Sequence, residues 1–229
     1  MCGRYVVSKE LSELKEIFDA EAPIEFATLS YNLAPTQSAP ILVERELEGV
    51  PTREIHPARF GLIPHWAKDV PDPLFNARIE TVLEKPSFKD SALHKRCVVP
   101  ASGYFEWDQQ KQPHFIHADP LICFAGIYSF WRDPAKAAND PSRWVLSFSI
   151  LTKVASPSLS WVHERSPVLL SEDGVEAWLA PDYETTPDLL EALASESDEV
   201  AESLEHFPVS KAVGKVSENS KELISPISF

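Results

Sequence analysis

Cys2 directly follows Met1, and its side chain is small enough for the initiator methionine to be removed. Removal leaves one residue with both a free α-amine and a thiol. Their reference pKa values of about 7.7–8.0 and about 8.5 leave a useful fraction of each nucleophilic near neutrality. Such an amine condenses with an aldehyde to a Schiff base, and the thiol on the adjacent carbon then closes a five-membered thiazolidine on the same carbon. The plain alternative is a frayed chain end with no chemical role.

Three further segments carry groups suited to assist. In Phe75-Asn76-Ala77-Arg78-Ile79-Glu80-Thr81 an extended chain aims Asn76, Arg78 and Glu80 to one side. Arg78 then fits a bidentate phosphate contact, or else a surface pair with Glu80 of little energetic weight. In Gly103-Tyr104-Phe105-Glu106-Trp107 a carboxylate sits among large aromatics, where desolvation raises a carboxyl pKa toward acid/base work. Strand alternation offers the opposite reading, with Glu106 facing water. His163, in Trp161-Val162-His163-Glu164-Arg165-Ser166-Pro167, is either a proton-exchanging imidazole or a hydrogen-bonded structural one. His114 and His117 have HxxH spacing, but on a strand and without further ligands, so no metal site is expected there.

The elements that must position these groups read as α+β. Residues 1–7 form a short extended segment, and Ser8 precedes a helix carrying Leu11, Leu14, Ile17 and Phe18 to about Ala20. Strand-like runs recur at 41–43, 96–99, 104–107, 114–116, 121–130 and 144–151. Ser171 caps a helix with Val175, Trp178 and Leu179; a second helix follows Pro187 with Leu189, Leu190 and Leu193. With 20 prolines and 7 glycines the connections are stiff, which suits loops that hold side chains around a cleft. Residues 133–141 read as a surface excursion.

Composition bounds the function. The 229 residues, 44% of them hydrophobic, suffice for one core, so a single domain over 1–229 is expected, with an acidic helical segment at about 171–206. No run approaches the roughly 20 apolar residues of a membrane span, and the charged first thirty positions resemble no signal peptide. A soluble, cytoplasmic protein is the expectation. Cys2, Cys97 and Cys123 lack disulfide or zinc spacing, and no cofactor motif is present. The net charge of −14 opposes nucleic-acid binding only if it is evenly spread. It is not: every charged side chain from Glu172 to Glu205, Asp182 among them, is acidic, whereas Arg53, Arg59, Lys68, Arg78, Lys85, Lys89, Lys95, Arg96 and Lys111 lie in the middle of the chain. One face can therefore be electropositive.

Taken in order, Met1-Cys2-Gly3-Arg4, Tyr31-Asn32-Leu33-Ala34-Pro35, Phe60-Gly61-Leu62-Ile63-Pro64-His65-Trp66, Asn76-Ala77-Arg78-Ile79-Glu80-Thr81, Gly103-Tyr104-Phe105-Glu106-Trp107, Val162-His163-Glu164-Arg165 and Pro208-Val209-Ser210 resemble the SRAP family, the SOS-response-associated peptidases. The resemblance covers nearly the whole chain. It implies a barrel-like, antiparallel β core with flanking helices, acting as a monomer without cofactor or metal on abasic sites in single-stranded DNA. It implies catalytic roles for Cys2 as nucleophile, Glu106 as acid/base, His163 in sugar ring opening and crosslink reversal, and Asn76 in orienting the reacting end. It assigns DNA contacts to Arg4, Pro35, Trp66, Arg78, Trp107 and Thr152, and release of the N-terminal methionine to the same site. The chain departs from the pattern at Ser166, where many relatives have methionine, and in its acidic C-terminal third. Two other functions fit parts of the sequence: an N-terminal-nucleophile peptidase or amidotransferase, and a noncatalytic reader of single-stranded DNA.

Overall fold

The apolar runs at 96–99 and 104–107, and those at 114–116 and 121–130, join in the folded chain into two long strands that pair with each other. The computed structural model describes residues 2–181 and 183–227. Met1, whose removal the sequence leads one to expect, and Asp182 of the acidic segment lie outside the described residues. In chain order the elements are β1 (Tyr5–Val7), α1 (Leu11–Phe18), β2 (Ser30–Leu33), β3 (Ser38–Leu47), β4 (Val50–Phe60), β5 (Asn76–Arg78), α2 (Lys89–His94), β6 (Arg96–Trp107), β7 (Pro113–Arg132), β8 (Trp144–Val154), β9 (Arg165–Pro167), β10 (Leu169–Leu170), α3 (Glu172–Leu179), α4 (Pro187–Glu202) and β11 (Glu205–Pro208). The architecture is α+β, as expected.

Strands β7, β8, β4, β3 and β6 pair in succession, and β6 pairs back onto β7, so the sheet closes into a barrel-like ring. Most pairings are antiparallel; β8 runs parallel to both β4 and β5. Inside the ring Tyr5, Phe60, Phe124 and Phe148 are fully buried, and Tyr104 is nearly so. Tyr5 packs edge-on against Phe60 at 5.4 Å, while Phe60 stacks on Phe148 at 5.2 Å. Each such side chain removes 150–250 Å² from water, which makes these rings the main apolar glue of the ring interior. A smaller cluster of Val6, Phe105, Phe115, Val209, Val213 and Leu223 sits on the opposite face of the same strands.

Strand β4 lies outside the expected strand-like runs, and it carries Pro51, Pro57 and several charged residues. It forms because Glu48 and Gly49, both at positive φ, make a two-residue turn that folds it back onto β3 with Leu47 opposite Val50. Helix α1 starts at Leu11 rather than after Ser8, since the Ser8 hydroxyl and amide both bond to Ser102 Oγ, at 2.8 and 2.9 Å. The Glu13 carboxylate accepts from the Glu10 amide instead. Ser171 and Thr186 cap α3 and α4 through the amides of Gly174 and Leu189. Helix α3 is anchored by Trp178, whose indole donates to the carbonyls of Cys97 and Gly126 at 3.0 and 3.1 Å.

The β6–β7 register shifts between Ala101 and Gly103. A Cβ at Gly103 would lie 2.5 Å from the Phe115 ring and 2.7 Å from the Ile116 carbonyl. Gly103→Ala therefore forces the two longest strands apart three residues before Glu106. It is expected to lower stability by about 1–3 kcal/mol in thermal or urea unfolding.

Candidate active site

The placement of Cys2 follows from strand β1. Short as it is, β1 pairs on one side with β2 and on the other with β6, with Tyr5 opposite Tyr104 and Val6 opposite Gly103. The Phe105 amide extends this ladder by donating to the Arg4 carbonyl at 2.9 Å. Cys2, two residues before Arg4, is thus carried into the core, where it is fully buried. Glu106, the next residue on β6, is 5% exposed and acts electrostatically on the thiol. Burial first, and the Glu106 carboxylate second, push the Cys2 thiol far above its ordinary pKa. Burial also raises the Tyr5 and Tyr104 hydroxyls, with Cys2 acting on both and Glu106 on Tyr104, so the four groups share one low-dielectric space.

Asn76 reaches this space from β5, which is held in parallel against β8 with Asn76 opposite Ile150. Its Nδ2 donates to the Cys2 carbonyl at 3.1 Å. Its Oδ1 is buried and has no hydrogen-bond partner among the described residues. An unpartnered buried acceptor costs roughly 1–3 kcal/mol, so it is poised to accept from a donor that enters the site. The chain stays extended only through Arg78; residues 79–81 turn into a 3-10 helix. Consequently Glu80 leaves the alternation and pairs with Arg165, at 2.6 and 2.9 Å, in a forked contact.

His163 lies half-buried in the loop before β9. Its Nδ1 accepts from the Arg165 amide at 2.9 Å, so a neutral ring carries its proton on Nε2. Arg165 ties this loop to the Asn76 segment: it holds Glu80 and donates to the Thr152 carbonyl at 2.7 Å. Arg165 stands two residues beyond His163, but nothing in the sequence pairs it with Glu80, 85 positions away. Thus Cys2, Asn76 and Glu106 are brought together directly, and His163 is connected to them through Arg165.

The expected DNA-contacting residues divide. Trp66 is 56% exposed, with its indole nitrogen 3.4 Å from the Pro86 carbonyl, and Arg78 is exposed with no ion pair among the described residues. Pro35 and Trp107 are half-buried, Trp107 against the smaller apolar cluster. Arg4 instead latches the C-terminal segment, donating to Asn32 Oδ1 at 2.8 Å and the Val213 carbonyl at 2.7 Å. Thr152 is fully buried, its hydroxyl donating to the Ala77 carbonyl at 3.5 Å. Several central cations are likewise engaged: Arg53 pairs with Glu44 and Glu176, Lys95 with Asp90, and Arg96 bonds the Ala180 carbonyl and Thr185. Lys68, Arg78, Lys85, Lys89 and Lys111 remain exposed. Among the described residues no group of three His, Cys, Asp or Glu is disposed to hold a metal ion, and no helix is long and apolar enough to cross a membrane.

The sequence profile of the SOS response associated peptidase (SRAP) family matches residues 1–216. This chain belongs to the SRAP family. Among its SRAP relatives, the abasic site processing protein YoqW of Bacillus subtilis is 33% identical over 98% of this chain and 99% of its own length. The abasic site processing protein YedK of Escherichia coli is 30% identical over 99% of this chain and 100% of its own. HMCES of Gallus gallus is 32% identical over 86% of this chain and 66% of its own. An X-ray structure of a protein from Bacteroides thetaiotaomicron shares the fold with a TM-score of 0.80 at 23% identity, covering 99% of this chain and 100% of that one.

The Arg165 hydrogen bonds hold the Glu80 carboxyl below its ordinary pKa. A depressed folded pKa stabilises above the unfolded value, near 4.3, and that contribution is lost as pH falls through the folded value. Glu80 is partly exposed, so the pair is worth no more than about 1 kcal/mol. Glu80→Gln is therefore expected to lower the Tm slightly at pH 7, with the difference closing by about pH 3 in parallel melts.

Proposed function

We propose that this SRAP protein processes abasic sites in single-stranded DNA by covalent capture at Cys2, once Met1 has been removed. Its curated relatives are named abasic site processing proteins, and an amide and a carboxylate, Asn76 and Glu106, act on Cys2. The observation that carries the reading is that Asn76, 74 positions along the chain, donates to the Cys2 carbonyl while Glu106 acts on the Cys2 thiol.

An abasic sugar in its open form presents an aldehyde. The freed α-amine adds to that carbon to give a carbinolamine, and loss of its hydroxyl as water leaves a Schiff base. Glu106 supplies the proton for the departing water and takes one back from the thiol as sulfur adds to the imine carbon. Nitrogen, the Cα and Cβ of Cys2, sulfur and the sugar carbon then make up the five-membered ring. The buried thiol, held protonated, favours amine attack first and ring closure second. Asn76 Oδ1 offers an acceptor for the amine or a sugar hydroxyl, and His163 Nε2 a donor during ring opening. Release of Met1 by the same groups is a self-processing peptidase step, and the Schiff-base stage is lyase-like in character.

Exposed Trp66 offers a stacking face and Arg78 a phosphate contact for the strand that carries the lesion. With few such contacts on a chain of net charge −14, noncovalent affinity is weak and salt-sensitive, so retention rests on the covalent bond.

The test is a denaturing gel and intact-mass measurement after mixing the protein with a single-stranded oligonucleotide bearing one abasic site. A heat-stable adduct is expected with the abasic strand and none with the intact strand. Cys2→Ala is expected to abolish it, and undiminished adduct from that variant overturns the assignment. Cys2→Ser keeps the amine without ring closure and should leave only a species trapped by borohydride. Glu106→Gln should slow adduct formation by roughly 10²–10⁴-fold with little change in noncovalent binding.

A further inference from the structure

Glu106 has a titratable neighbour that its expected role does not use. In the β6–β7 pairing Glu106 stands directly opposite His114. Directly opposed residues of an antiparallel pair project from the same face, with Cβ atoms about 4.5–5.5 Å apart. His114 is held on its other side by Asp108, at the start of the hairpin turn, whose Oδ2 lies 3.3 Å from His114 Nε2. Asp108 is itself fixed, because its Oδ1 accepts from the Gln110 and Gln112 amides at 2.9 and 2.8 Å. The ring then stands edge-on to Trp161, with centroids 4.8 Å apart. Trp161 precedes His163 by two residues, packs against the main core, and also meets the His206 ring at 4.6 Å.

We infer that His114, oriented by Asp108, is a positioning residue that ties the Trp161–His163 loop to the strand carrying Glu106 and sets the pH range over which Glu106 works. The inference rests on the proposed role of Glu106. Its parts follow one another pairwise: carboxylate opposite imidazole, imidazole against indole, and indole in the loop of the second imidazole. Aromatic edge-to-face contact supplies rigidity, since such a pair adds about 0.5–1.5 kcal/mol beyond its buried area. Charge supplies the pH dependence. The ionisable groups around His114 are Glu106 and Asp108 from the β6 side and His206 from β11, and any change of charge within this cluster acts on the Glu106 side chain through space.

His114→Phe keeps an aromatic ring against Trp161 and removes the titrating nitrogens; His114→Ala removes both. Single-turnover crosslinking to an abasic oligonucleotide, followed from pH 5 to 9, separates the two contributions. His114→Phe is expected to keep the wild-type Tm and noncovalent DNA affinity while its rate profile loses curvature between about pH 5 and 8. His114→Ala is expected to slow the reaction a further tenfold as the loop loosens. A second reading needs no DNA: the Trp161 indole N–H resonance should move with pH in the wild type and move less in His114→Phe, where only the His206 ring remains beside it to titrate. Rate profiles of wild type and His114→Phe that superimpose, or an indole resonance equally pH-dependent in both, would overturn the inference and leave the covalent reading intact. A wild type that forms no adduct at all would overturn both.

Discussion

The site depends on the pairing of a three-residue strand. β1 is held between β2 and β6, and that ladder carries the start of the chain into the core. Chain ends are ordinarily the least constrained part of a domain. Here backbone hydrogen bonds on both sides, the buried Tyr5 among aromatic rings, and the Arg4 latch to Asn32 and Val213 remove that freedom. Cys2, two residues upstream of Arg4, inherits the same order. The same pairing sets Glu106 beside it, since the β1–β6 register fixes which β6 side chain faces Cys2.

Rigidity also reaches the site from the far end of the fold. Parallel pairing of β5 with β8 delivers Asn76, and antiparallel pairing of β9 with β8 delivers the loop of His163. Arg165 joins the two, with one fork on Glu80 and one nitrogen on the Thr152 carbonyl. Two strands on one neighbour thus act as a common ruler for groups far apart in the chain.

The acidic segment tempers this arrangement electrostatically. Helices α3 and α4 supply Glu176 to Arg53 and Asp198 to Lys153, and the segment joining them receives Arg96. Cations that sequence order assigns to the middle of the chain are in this way drawn into internal contacts. What stays exposed is a smaller set, Arg78 and four lysines, together with the indole of Trp66.

Much of the fold was legible in local pattern. Helices α3 and α4 announce themselves through Ser171, Pro187 and their apolar spacing, because a cap and a stripe are properties of neighbouring residues. Strand β4 was hidden, since Pro51 and Pro57 fit only once β3 lies beside them. The groups of the site were legible by type: an aminothiol precursor at Cys2, a carboxylate among aromatics at Glu106, an amide at Asn76 and an imidazole at His163. Their convergence was not. Which face Glu106 takes, whether Glu80 meets Arg78 or Arg165, and whether Arg4 and Thr152 face solvent are decided by partners tens of residues away. The sequence by itself determined the chemistry available and the local elements that carry it. Only the tertiary structure decided which groups share one desolvated space, because that depends on strand register and on contacts formed when the ring closes.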